Sequence, residues 1–273
     1  MKRTSLTVIA VCATLLWVGA VHAGKVVVPA TGGLSACQKQ LNLSTANLLT
    51  CTNNLSTCET DLSAAQAFPA TGQTTSYAAG DDGAIKAGAA LSYTDNGDGT
   101  ITDNNTKLMW EKKDEASGGL HNVNNTYPWS GLCQDGTTPC GTSADCSGVP
   151  GTALCTAIDG QGTGWTIFQW VTQLNAAGFA GHTDWRVPNV KELQSIADYE
   201  NFNPAVDTAF NTSCSADCTV TTCSCTRSIG YWSATTIAGF GTGAAWFVNF
   251  GAGQQPTRGK INSLGVRAVR SGL

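Results

Sequence analysis

Charged residues are scarce in this chain: 12% are Asp, Glu, Lys or Arg, where about 25% is usual for a soluble domain. With 19 acids against 15 bases the net charge is −4, so there is no basic footprint for nucleic acid and no nucleic-acid partner is expected. After residue 20 no apolar run approaches the roughly 20 residues that a membrane helix needs, so no membrane span is expected either. Histidine is limited to His22, His121 and His182. No Ser or Cys stands in a nucleophile-elbow setting, and a lone His such as His182 is ordinarily structural or solvated. Gly160-Gln161-Gly162-Thr163-Gly164 has the glycines of a phosphate loop without its lysine. Setting Gly99 at the turn of a calcium loop puts Thr94 and Asn105 where ligating carboxylates belong. No catalytic residue, cofactor or metal is therefore expected, and Asp95–Asp103 reads as a hairpin turn.

What is present begins with an export signal. Lys2 and Arg3 precede an uncharged apolar run from Leu6 to Ala20, and Val21-His22-Ala23 has the small-x-small form of a cleavage site. Cleavage near Ala23 places the mature chain outside the cytoplasm, in the periplasm, at the cell surface or secreted. Loss of Lys2 and Arg3 leaves 13 bases against 19 acids, a net charge of −6.

The cysteines fit that compartment. Of 12, Cys12 leaves with the signal peptide. Cys133, Cys140, Cys146 and Cys155 form one group; Cys214, Cys218, Cys223 and Cys225 form another. Even numbers in an oxidising setting imply disulfides. Cys223 and Cys225 are too close in sequence to bond each other easily, which leaves each with Cys214 or Cys218. Neither group has the paired two-residue gaps of a zinc ribbon, so two disulfide-stapled insertions, 133–155 and 214–225, are expected.

The other three cysteines lie in a heptad pattern. Leu34, Leu41, Leu48, Leu55 and Leu62 recur every seven residues, each followed three positions on by Cys37, Ser44, Cys51, Cys58 or Ala65. Leucine at one seam position and a small residue at the other is a coiled-coil pattern. Residues 24–33 read as a linker and 34–65 as a stalk, about 48 Å long as a helix. Cysteines a heptad apart cannot reach each other on one helix, so Cys37, Cys51 and Cys58 are candidates for interchain disulfides in a parallel dimer. The other reading is a single helix lying on its own domain.

Residues 66–90 read as a linker or edge segment, and 91–273 as one domain. Leu91–Thr94 and Thr100–Thr102 flank a tight turn, and Leu108–Trp110 continues the β start. Helical spacing runs from Thr166 to Phe179. A second helix starts after Asn189, with Glu192 in capping-box position and Pro188 blocking backward extension. Strands follow at Gly230–Thr236, Ala244–Phe250 and Gly265–Arg270. This order is α+β.

Four elements carry a family resemblance: Thr94-Asp95-Asn96-Gly97-Asp98-Gly99-Thr100-Ile101-Thr102-Asp103 with Leu108-Met109-Trp110; Asp184-Trp185-Arg186-Val187-Pro188-Asn189 with Lys191-Glu192-Leu193; Tyr231-Trp232-Ser233-Ala234-Thr235; and Val266-Arg267-Ala268-Val269-Arg270-Ser271-Gly272. Together they resemble the Lcl C-terminal domain family over about Pro69–Leu273. The resemblance implies a C-type-lectin-like fold, related to that of the formylglycine-generating enzyme, on exported proteins; the name-giving member is an adhesin for sulfated polysaccharides. The two four-cysteine insertions depart from plainer members, and no catalytic residue carries over.

From Thr219 to the end there is no acid, while Arg227, Arg258, Lys260, Arg267 and Arg270 are basic. These cations either serve an anionic ligand or pair with acids elsewhere in the fold. Arg186, Arg267 and Arg270 read as internal partners for Asp184 or Glu192, and Trp185, Trp232 and Trp246 as core. Asn249, Gln254, Gln255, Arg258 and Lys260, between the last strands, are the surface candidates. The sequence thus points to an exported, non-enzymatic, adhesin-like binding module for an anionic polysaccharide or a surface protein, self-associating through its stalk. The alternatives are a component of a surface appendage and a thiol-dependent modifying enzyme.

Overall fold

Short polar side chains fold the start of the domain. The structure, a computed structural model, describes residues 47–50, 52 and 68–272 apart from 137, 141–142, 149–154, 158 and 240–242. The expected signal sequence, Cys37, Cys51, Cys58 and most of the expected stalk lie outside the described residues; 47–50 and 52 are helical. Two compact units divide at Ala67/Phe68, so residues 68–90 belong to the second unit. Within them α1 (Asp82–Ile85) is capped by Asp81, which accepts from the Ala84 amide. Pro69 and Ala89 form a parallel bridge, and Tyr199 N donates to Thr71 O at 2.8 Å.

β1 (Tyr93–Asp95), β2 (Thr100–Asp103) and β3 (Leu108–Glu111) form an antiparallel meander. Its first turn is closed by side chains. Asp95 Oδ1 accepts from Gly97 N, and Asp98 Oδ1 accepts from the amide and hydroxyl of Thr100. Gly97 takes φ +76°, a conformation that costs an L side chain about 1–2 kcal/mol. β4 (Tyr127–Pro128) leads to the first insertion, where β5 (Gly131–Cys133) lies between β6 (Pro139–Cys140) and β7 (Cys155–Thr156). Cys133–Cys146 and Cys140–Cys155 close it.

α2 (Ile167–Ala176) buries Ile167, Trp170 and Leu174, the spacing of one helical face. Thr166 and Gln169 form a reciprocal capping box at its start. The helix ends short of Phe179 because Gly178 turns left-handed. α3 (Val190–Gln194) starts as its sequence requires: Asn189 Oδ1 accepts from the amides of Lys191 and Glu192, and Glu192 Oε2 accepts from Asn189 N at 2.8 Å. Cys214–Cys225 and Cys218–Cys223 close the second insertion. Each cysteine group therefore pairs within itself.

β8 (Gly230–Thr236), β9 (Ala244–Asn249) and β10 (Thr257–Gly259) form a sheet in the order β10-β9-β8. Strand alternation sends neighbours to opposite faces, and here both faces are covered. Trp232 and Phe247 join Trp170, Trp185 and Ala268 in one core; Tyr231, Val248 and Phe250 join Ile101, Trp110 and Phe210 in the other. The expected last strand, Gly265–Arg270, is strand only at its end, and a short strand precedes it. β11 (Ser263–Leu264) pairs with β4, and β12 (Val269–Ser271) pairs with β3. Between them the chain switches sheets, with Gly265 bridged to Tyr231 and Arg267 fully buried. Helices and mostly antiparallel sheets make the described domain α+β.

Candidate functional site

The cations of the acid-free tail do not form one surface. Arg270 Nε pairs with Asp184 Oδ1 at 2.7 Å, as its sequence context predicts. Arg267 forms no ion pair with an acid among the described residues. It donates to Glu111 O at 2.9 Å, Cys225 O at 2.7 Å and Thr226 Oγ1 at 2.8 Å. Lys260 requires a correction: it is 5% exposed, not on the surface. Its ammonium lies 3.6 Å from the centroid of Trp129 and donates to Thr236 Oγ1 at 3.0 Å. Burial pulls its pKa below the usual lysine range. Arg227 and Arg258 are exposed and have no acid within ion-pair distance among the described residues.

The five predicted surface residues are also split. Gln254 and Gln255 are exposed at the β9–β10 turn, where half-buried Asn249 donates its amide to Gln254 O and accepts from Gly251 N through Oδ1. Arg258 lies three residues beyond Gln255, about 10 Å along the strand, and Lys260, two residues further, is buried.

The family-motif residues hold the fold together. Trp110, Trp185 and Trp232 are buried, whereas Trp246 is half-exposed. Trp185 Nε1 donates to Phe179 O, and Trp232 Nε1 to Tyr127 O. Arg186 grips Glu192 with two bonds of 2.7 and 2.6 Å. Burial alone would raise the Glu192 pKa, but the guanidinium and the Asn189 amide hold it below the carboxylate range. Pro188 O accepts from Ala234 N, and Tyr231 Oη from Arg227 N.

A buried ionic cluster joins the two cores. Glu111 is fully buried; its Oε1 lies 2.8 Å from both Lys113 Nζ and His121 Nδ1, and its Oε2 accepts from Ala268 N. Burial pushes the carboxyl up, yet Lys113 and His121 hold it below its ordinary range. Lys113 Nζ sits over Trp170 and Arg267 over Phe210, one in each core. Lys113 O accepts from Cys225 N, so the cluster anchors the second insertion. The run Glu111-Lys112-Lys113, in a chain so poor in charge, was the available signal, but charge counting reads it as surface.

A cleft of about 340 Å³ opens between residues 70–91 and 198–207. Asp82, Asp198, Glu200 and Asp207 line it with Lys86 and Thr71. Glu200 accepts from the Thr75 hydroxyl and from the amides of Thr74 and Thr75 at 2.7 and 2.9 Å. Those bonds lower its pKa to about 2. Burial instead pushes Asp198 up. Gly72 is required at the rim: it has φ +84°, and a Cβ there would stand 2.2 Å from Asp198 Oδ1. Four carboxylates favour hydroxyl, amide or cationic donors and repel anions.

The sequence profile of the family described as Lcl C-terminal domain matches residues 99–270. The chain belongs to this family. No curated protein and no solved structure matches the chain. The Lcl C-terminal domain match takes in both disulfide insertions, the ionic cluster, and Asp198, Glu200 and Asp207. It leaves out residues 70–91, so one wall of the cleft is contributed by chain outside the matched Lcl C-terminal domain.

Proposed function

We propose that the protein is an exported, non-enzymatic binding module with a C-type-lectin-like head, and that the cleft beside Glu200 seats its ligand. The observation that carries this reading is a preformed hollow of about 340 Å³, a volume in the range of small-ligand sites, rimmed by acceptors. Its carboxylates suit the hydroxyls of a neutral saccharide better than the anionic polysaccharide suggested by the tail charge. The basic, apolar leader and the four disulfides support export. A parallel dimer cross-linked at Cys37, Cys51 and Cys58 would present two heads and raise weak affinity by avidity.

The test is binding of the mature chain to an array of neutral, sulfated and carboxylated saccharides at low and high salt. Neutral-saccharide binding that weakens tenfold or more in Asp207→Asn supports the reading, since Asn still caps the local turn. Salt-sensitive binding of sulfated saccharides, unaffected by that change, overturns the cleft as the seat. Migration on a gel with and without reductant tests the dimer; an unshifted band removes it.

A protein ligand is the second reading. Phe68, Tyr77 and Phe202 are 88%, 80% and 72% exposed, and exposed aromatics are enriched where proteins meet. Capture of one surface protein from a cell envelope, lost on Tyr77→Ser, would favour it over the saccharide.

A further inference from the structure

The two disulfide insertions have similar sulfur packing but different access. In the first, Cys133, Cys140 and Cys146 bring their sulfurs within 4.8 Å of one another, and all four cysteines are buried. In the second, Cys218, Cys223 and Cys225 are equally close. Here Cys223 and Cys225 are buried, Cys218 is half-buried and Cys214 is exposed. Cys218 Sγ and Cys225 Sγ belong to different disulfides and stand 4.0 Å apart, within about 0.5 Å of a near-attack separation. The sulfur of an exposed residue therefore connects, through its bonded partner, to the sulfur of a second disulfide.

We propose that the second insertion is a thiol–disulfide exchange site that accepts two electrons from a pair of external thiols, small or borne by a protein. The external thiolate attacks Cys214 Sγ. A mixed disulfide forms, the Cys214–Cys225 bond breaks, and Cys225 leaves as a thiolate. The Arg267 guanidinium donates to the backbone carbonyl of Cys225 at 2.7 Å, so the leaving residue is held by a cation. Cys225 Sγ then attacks Cys218 Sγ; the Cys218–Cys225 bond forms, the Cys218–Cys223 bond breaks, and the Cys223 thiolate takes up a proton. A second external thiolate attacks its counterpart in the mixed disulfide. It leaves as the oxidised dimer, and Cys214 takes up the other proton. Two external thiols have lost two electrons and two protons, and the loop has exchanged two disulfides for one disulfide and two thiols. The remaining Cys218–Cys225 bond keeps the insertion closed, so the domain need not open to react.

Reduced glutathione is the probe. The mature protein is exposed to a few equivalents, quenched with acid, alkylated and mapped by mass. The expected products are glutathione on Cys214, or alkyl label there once the second thiol has reacted, with alkyl label on Cys223 and a peptide joining Cys218 to Cys225, and with Cys133, Cys140, Cys146 and Cys155 unmodified. In the double variant Cys218→Ser/Cys223→Ser the relay has no second disulfide, and the label moves to Cys225. Label on Cys225 in the unaltered protein, reduction of the first insertion at the same rate as the second, or neither glutathione nor alkyl label on Cys214 under conditions that leave the fold native each overturns the proposal. Saccharide binding is a separate measurement, so neither result decides the other.

Discussion

The ammonium of Lys260 lies over the face of Trp129, 3.6 Å from the ring centroid. Trp129 Nε1 in turn donates to Ser233 O at 3.0 Å, and its ring meets Phe168 edge-on. The lysine caps an aromatic group of the first core, so its role is cohesive. A partly desolvated cation–aromatic pair contributes about 1 kcal/mol. A double-mutant cycle of Lys260→Met and Trp129→Leu in urea unfolding should give a coupling energy of about 1 kcal/mol. Zero coupling, with ligand binding lost in Lys260→Met, would return Lys260 to the ligand surface.

Glu111→Gln should be among the most damaging single changes. It removes the charge that compensates Lys113 and leaves an ammonium buried against Trp170. Breaking a buried pair from one side costs about 3–5 kcal/mol. The sign with pH follows from the lowered pKa of Glu111. A carboxylate depressed in the folded state contributes its stability above its unfolded pKa and loses it as pH falls through the folded value. Acid should therefore lower the melting temperature of the parent protein more steeply than that of Glu111→Gln. Parallel acid profiles would show that the carboxylate contributes nothing.

Glu200 governs how residues 68–90 dock. Its carboxylate receives the Thr74 and Thr75 amides, and its pKa is lowered to about 2 from 4.5. The docking it provides is complete above pH about 4.5 and fades as pH falls towards about 2. Hydrogen exchange at the Thr74 and Thr75 amides, corrected for intrinsic rates, should accelerate across that window. In Glu200→Gln it should be fast throughout. Protection unchanged down to pH 2 would mean that other contacts hold the segment.

These tests separate what the sequence makes legible from what it hides. Asn189 and Glu192 are three residues apart, so their capping box can be read directly, as can the Asp95–Thr100 turn. The cysteine groups close within themselves, and proximity in the chain already suggests this. Glu200 and Thr74 are 126 positions apart, and no local pattern announces that a polar, Gly-rich segment will be pinned by one carboxylate. For this reason residues 66–90 read as a linker or edge segment, and the cleft is invisible in the sequence. Lys260 and Arg267 mislead for a related reason. A cation in a half-polar stretch looks the same whether water, an aromatic ring, or two carbonyls and a hydroxyl lie beside it.

Gly230 tests the seam between the two cores. It starts β8, where Tyr231 and Trp232 diverge to opposite faces, and a Cβ on it would stand 2.6 Å from Phe247 Cδ2 and 3.3 Å from Leu264 Cδ1. No left-handed backbone is involved here, so the cost of Gly230→Ala is one of space alone. Overpacking of this kind costs about 1–3 kcal/mol. Phe247→Leu should relieve part of it by removing the ring carbons that collide, although the smaller side chain alone destabilises the core. The double variant should therefore unfold at a higher denaturant midpoint than the sum of the two single losses predicts, by at least about 0.5 kcal/mol. Strict additivity would mean that Gly230 is needed for something other than the approach of Phe247.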